Sequence, residues 1–142
     1  MRFLRLSRVP TVAIVEDDEA VREALSDLLQ VLGLNISTFD RAELFLAEYV
    51  PDRFDSLITD VKMPGIDGLQ LQTSLRSLGS AIPIIFITSV PDATTRASAL
   101  EGGAHAFLAK PVSDEVLIHH LKSVLNWDSL NINDPGMDQG DG

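Results

Sequence analysis

With 142 residues, 45% of them hydrophobic and 23% charged, the chain has the composition of one globular domain with a full core and is too short for two. No apolar run approaches the roughly 18 residues of a membrane span, and the absence of cysteine removes disulfides, thiolate catalysis and Cys-based zinc or iron–sulfur centres. The formal net charge of −10 argues against direct nucleic-acid binding, which needs a basic face to displace counterions from phosphates.

The charge is unevenly spread. Residues 1–10 carry Arg2, Arg5 and Arg8 with no acid and lack the continuous apolar stretch of a secretory signal, so they read as a basic N-terminal arm. Pro10 fixes an extended entry into a first strand expected from Thr11 to Val15. Val21, Ala24, Leu25, Leu28, Leu29 and Leu32 then recur at helical spacing, forming one apolar face that Gly33 ends. Leu34 to Phe39 alternates as a half-buried edge strand, and a helix beginning near Asp40 or Arg41 turns Ala42, Leu44, Phe45 and Tyr49 inward or partly so before Pro51 closes it. The apolar run from Phe54 to Thr59 predicts a buried strand, stopped by Asp60 and then by Pro64 and Gly65.

Asp67 is placed to cap a helix carrying Leu69, Leu71, Leu75 and Leu78, which Gly79 stops. Pro83 to Ser89 is a fourth apolar strand. Asp92 caps a helix from Ala93 to Leu100 that ends at Gly102 and Gly103. A fifth short strand, from Ala106, ends in Lys110 and Pro111, and Ser113 starts a last helix with Val116, Leu117, Ile118, Leu121, Val124 and Leu125 apolar. Residues 11–126 are therefore expected to be the domain. Residues 127–142 carry Asp128, Asp134, Asp138 and Asp141 with no base, are too short for a domain of roughly 50 residues, and are expected to be an acidic, disordered tail.

Five strands alternating with five helices predict an α/β fold, one doubly wound, flavodoxin-like parallel sheet. Right-handed crossovers with helices on both faces give the order 2-1-3-4-5. Its carboxyl edge is where ligands bind in such sheets. That edge collects Glu16, Asp17, Asp18 and Glu19 from the first strand, Asp60 from the third, Thr88 and Ser89 from the fourth and Lys110 from the fifth. Strands 1 and 3 are neighbours, so Asp17 and Asp60 fall within reach of one metal ion. Asp18 and Glu19 have the simpler reading of capping and complementing the first helix.

In this order the segments resemble the receiver domain of two-component response regulators. The resemblance rests on Glu16 and Asp17, on Asp60, on Met63-Pro64-Gly65 followed by Asp67-Gly68, on Thr88, and on Lys110-Pro111, and it covers roughly residues 10–126. It is closest to FixJ-like receivers, which have Phe, here Phe107, where others have Tyr. No recognisable output domain follows. The resemblance implies that Asp60 accepts a phosphoryl group from a sensor histidine kinase or phosphotransfer protein. A divalent cation, Mg²⁺ or Mn²⁺, would sit on Asp17 and Asp60, with Glu16 acting through water and the Lys62 backbone carbonyl adding a ligand.

A carboxylate approaching an anionic phosphoryl group needs that cation to cancel repulsion, and Mg²⁺ suits a site of few protein carboxylates and several waters. Glu16 departs from the commoner Asp, which is expected to alter metal affinity. Lys110 would pair with Asp60 and later with a phosphoryl oxygen, aimed by a cis peptide at Pro111. Thr88 would bind the new phosphate and free space for Phe107, whose switch rests on packing because it has no hydroxyl. Lys62 and Val90 stand where the family tunes dephosphorylation.

The implied output is a change in the face of the fourth helix, fifth strand and fifth helix, read by a downstream protein, with room for a phosphorylation-dependent dimer. The implied setting is cytoplasmic, with no membrane and no nucleic acid bound by this chain. His105, His119 and His120 read as surface or interface histidines. Two other functions remain as alternatives. A metal-dependent phosphohydrolase with Asp60 as nucleophile would want a second acid two residues on, where Lys62 stands, so the chain is not expected to be an enzyme. A receiver-like interaction module indifferent to phosphorylation would have no use for the full residue set.

Overall fold

The computed structural model describes residues 9–126. The expectations for the acidic tail, 127–142, and for all but the last two residues of the basic arm lie outside the described residues. Five strands, β1 (Thr11–Val15), β2 (Asn35–Phe39), β3 (Ser56–Asp60), β4 (Ile84–Thr88) and β5 (Ala106–Ala109), form one sheet in the order β2-β1-β3-β4-β5. Every neighbouring pair is parallel. The helices are α1 (Glu19–Val31), α2 (Ala42–Glu48), α3 (Gly68–Ser77), α4 (Ala93–Glu101) and α5 (Asp114–Leu125).

Strand side chains alternate between the two faces, and each face finds its own helices. Val12, Ile14, Ile58, Ile85 and Ile87 pack with Leu25 and Leu29 of α1 and with Leu117, Leu121 and Leu125 of α5. Ala13, Val15, Leu57 and Phe86 pack on the other face with Phe45 of α2, Leu71 and Leu75 of α3 and Ala99 of α4. Burial on both faces is why the central strands read as unbroken apolar runs. At the sheet edge, β2 keeps the half-exposed pattern expected of it.

The helix starts follow from their caps. Asp18 accepts the Val21 N–H, Asp92 the Thr95 N–H and Ser113 the Val116 N–H. Asp67 and Gln70 form a reciprocal capping box at α3, with distances of 2.8 and 2.9 Å. Only α2 among these five lacks a side-chain cap.

Three local expectations are corrected. The third strand begins at Ser56, not Phe54, because Asp55 is spent on the first strand: its Oδ2 accepts the Thr11 N–H at 2.8 Å and its own N–H donates to the Thr11 carbonyl. Phe54 stays in the core from a loop, its ring 5.2 Å from that of Phe45. Leu44 and Leu78 are 47% and 65% exposed. In α2 the inward line belongs to Ala42 and Phe45, and Leu78 lies beyond the line of Leu71 and Leu75 as the residue that caps α3.

The carboxyl-terminal half of α3 is tied to its neighbours by polar side chains. Gln72 Nε2 donates to the Ala99 carbonyl at 3.0 Å. The Arg76 guanidinium donates to four backbone carbonyls, those of Gly102, Ser80, Ile82 and Gly103. Its burial lowers the guanidinium from its ordinary value.

Candidate functional site

The site is built from chain exits at the carboxyl edge of the sheet. β1 runs directly into Glu16, whose N–H donates to the Phe39 carbonyl of β2, so the carboxylate is carried inward and fully buried. Its Oε2 accepts the Asp18 N–H at 2.9 Å, and Arg22 Nη1 from α1 donates to its backbone carbonyl at 2.8 Å. Asp17 follows and is exposed. On the neighbouring strand Asp60 is the last residue of β3, with Oδ1 accepting the Val61 N–H at 2.7 Å.

Carboxylate oxygens of Glu16, Asp17 and Asp60 lie within 4.8 Å of one another. Lys110, just past β5, reaches across to them. Its Nζ donates to Asp60 Oδ2 at 2.9 Å and stands 2.8 Å from Glu16 Oε1, an ion-pair distance. The Glu16 contact lacks hydrogen-bond alignment, so Oε1 is a buried oxygen without a directed donor. The Lys110–Pro111 peptide is cis.

The electrostatics follow from this crowding. Burial is the largest influence on Glu16 and pushes its carboxyl up; the Lys110 ammonium and the Asp18 N–H pull it down, and the Asp60 charge adds to the rise. Burial alone would lower Lys110, but Glu16 and Asp60 together outweigh it and hold the ammonium above its ordinary value. Three acids against one ammonium leave a surplus of negative charge made of hard oxygen atoms. Such a donor set fits a hard divalent cation.

Beside the acids, Thr88 ends β4, fully buried, with its Oγ1 accepting the Val90 N–H at 3.0 Å. Phe107 on β5 is opposite Phe86 in register, 8% exposed, with ring centroids 6.3 Å apart. It belongs to the apolar face next to the site, not to the acid cluster. The Lys62 side chain is exposed.

Between β3 and α3 the loop is closed at its base by the Gly68 N–H donating to the Val61 carbonyl at 2.8 Å. A Cβ at Gly68 would collide with the Asp60 carbonyl oxygen, so only glycine lets the loop lie this close to the β3 exit.

Glu16, Asp17, Asp60 and Lys110 are thus brought together, with Thr88 on the adjoining strand end. Sequence reasoning missed Arg22 and the contact of Lys110 with Glu16. It also missed Glu43 of α2, whose Oε2 accepts the Ile66 N–H of the loop at 3.2 Å.

The amino-acid sequence matches the response regulator receiver domain over residues 12–122. It is 38% identical over 118 residues to response regulator protein TodT of Pseudomonas putida, covering 83% of this chain and 52% of that protein. Response regulator StyR shares its fold with a TM-score of 0.79 at 37% identity, over 86% of this chain and 62% of that one. The crystal structure of FixJ-N gives 0.75 at 34% identity, over 89% and 98%. The chain spans about half the length of TodT, 52%.

Proposed function

This chain belongs to the response regulator receiver domain family of two-component signalling, and from that premise we propose that Asp60 accepts a phosphoryl group from a histidine kinase or phosphotransfer protein in the cytoplasm. The observation that carries the proposal is the convergence of Glu16, Asp17 and Asp60 within 4.8 Å, with Lys110 Nζ 2.9 Å from Asp60 Oδ2.

In the reaction an Asp60 carboxylate oxygen bonds to phosphorus as the phosphorus–nitrogen bond of the donor's phosphohistidine breaks, and the imidazole leaves as the neutral ring after taking a proton. Asp60 is held for that attack, since the Val61 N–H fixes Oδ1 and Lys110 fixes Oδ2. Asp17, Asp60 and the Lys62 carbonyl would hold Mg²⁺ (or Mn²⁺), with Glu16 acting through water. When bound, the cation supplies countercharge for two anions brought into contact.

Lys110 provides a fixed positive charge for the phosphoryl oxygens. Thr88 Oγ1 already accepts from Val90, which leaves its own hydrogen to donate to the aspartyl phosphate. Its inward movement would vacate space into which Phe107 turns, shifting the face made by α4, β5 and α5 on which a downstream protein docks. Among the described residues no helix is long and apolar enough to cross a membrane.

The test is intact-mass spectrometry after incubation with a small phosphoryl donor. The wild type gains one phosphoryl group when Mg²⁺ is present and loses that ability with chelator, and Asp60→Asn gains none while melting as a folded protein. Equal labelling of Asp60→Asn would sink the proposal.

A further inference from the structure

We infer that Glu43 is a positioning residue for this site: from α2 it holds, through the Ile66 N–H, the loop whose Lys62 carbonyl completes the metal shell. The inference rests on the reading just given. The ordinary account of an acid in the first turn of a helix is that it complements the helix dipole. Glu43 does more, because its Oε2 accepts a hydrogen bond from Ile66, 23 residues away in sequence.

The contact extends along the loop. Gly65 has φ +76°, and a Cβ there would collide with Glu43 Oε2, so two successive loop residues lie against this carboxylate. The left-handed turn at Gly65 is what brings the following N–H onto it. At its base the loop is shut by Gly68 and Val61 and stiffened by the Asp67–Gln70 box. Lys62 is the first residue inside the closed loop, so its carbonyl direction depends on backbone angles fixed at the base by Gly68 and at the tip by Glu43. Met63 and Ile66 add apolar contact with the core. Partners that orient a ligand are needed for affinity although they never touch the ion.

Two causes would make Glu43 matter to a cation: its charge, or its hydrogen bond. Glu43→Gln separates them, since the amide oxygen still accepts the Ile66 N–H while the charge is gone. The experiment is calorimetric titration of the full chain with Mg²⁺ alone. Glu43→Ala raises the Mg²⁺ dissociation constant roughly three- to tenfold, at or below the low end for such partners because the bond is exposed, and Glu43→Gln returns it to within about twofold of wild type.

The metal-free melting temperature stays within about 3 °C for both variants, as for an exposed substitution. An alanine variant that binds like wild type overturns the inference, as does a glutamine variant as weak as alanine. So does an alanine variant whose weakened binding is matched by a large loss of melting temperature. A wild type that binds no Mg²⁺ overturns this inference and the metal site together, whereas a binding wild type matched by Glu43→Ala overturns this one alone.

Discussion

Lys110 Nζ lies 2.8 Å from Glu16 Oε1, so a carboxylate with no solvent exposure has as its countercharge the same ammonium that donates to Asp60. Removing one partner of a buried ion pair leaves the other uncompensated and typically costs about 3–5 kcal/mol. The Lys110 side chain keeps 16% exposure, which softens that figure. Lys110→Met is expected to destabilise the metal-free protein by about 2 kcal/mol, and adding Glu16→Gln should recover at least half of it. Urea unfolding at neutral pH measures both. A double variant no more stable than Lys110→Met would contradict the pairing.

Gly68 and Gly79 offer a contrast. A methyl at Gly68 meets the Asp60 carbonyl oxygen and Val61 Cα, which are backbone atoms of β3 and its exit, whereas nothing lies within 4 Å of a Cβ at Gly79, where φ is +85°. Gly68→Ala should cost about 2–3 kcal/mol, as overpacking does, and depress labelling of Asp60 by moving it. Gly79→Ala should cost only the left-handed strain, about 1 kcal/mol, with labelling unchanged. Equal labelling defects in the two variants would show that the loop contact does not govern Asp60.

Arg76 makes a sharper case for shape over charge. A planar guanidinium can serve the carbonyls of Gly102, Gly103, Ser80 and Ile82 at once, and a lysine ammonium cannot span them. Arg76→Lys therefore leaves partly buried carbonyls without a donor, at about 2 kcal/mol in total, despite keeping the charge. Hydrogen exchange should quicken at the α3–β4 and α4–β5 turns before it does in β1.

The histidine cluster predicts an acid sensitivity. His105 and His119 rings stand 5.1 and 5.2 Å from that of His120, edge to face, and His120 Nδ1 is buried without a hydrogen-bond partner. Burial first, then the neighbouring imidazoles, lowers His120 from its ordinary 6.5. A depressed value means the folded state takes up fewer protons there. Its contribution is full above 6.5 and lost as pH falls through the lowered value. His120→Leu should flatten the decline in stability as pH falls below 6.5; an unchanged slope would remove His120 as its source.

Much of the architecture is readable because four of the five strands leave the sheet through a polar or charged residue and four helices open on a capping side chain. Asp18, Asp67, Asp92 and Ser113 each precede an apolar periodic run, which is a local signal. What stayed hidden depends on contacts between distant segments. An apolar run cannot tell where a ladder begins, so it extends the third strand back to Phe54, whereas the bond of Asp55 to Thr11 ends that extension. Glu16 reaching Lys110 needs the depth of the first strand exit. Glu43 looks like any first-turn acid until Ile66 is folded onto it, and His105 joins His120 only through the docking of α5 beside β5.

The acid cluster and its ammonium come from the exits of β1, β3 and β5, with Lys110 contributed last in chain order. A nascent polypeptide emerging from the ribosome therefore holds its carboxylates long before it owns the cation that tames them. Charge balance at this edge arrives only with β5, the last strand of the sheet, so a segment that stops short of it carries three acids with no ammonium to face them.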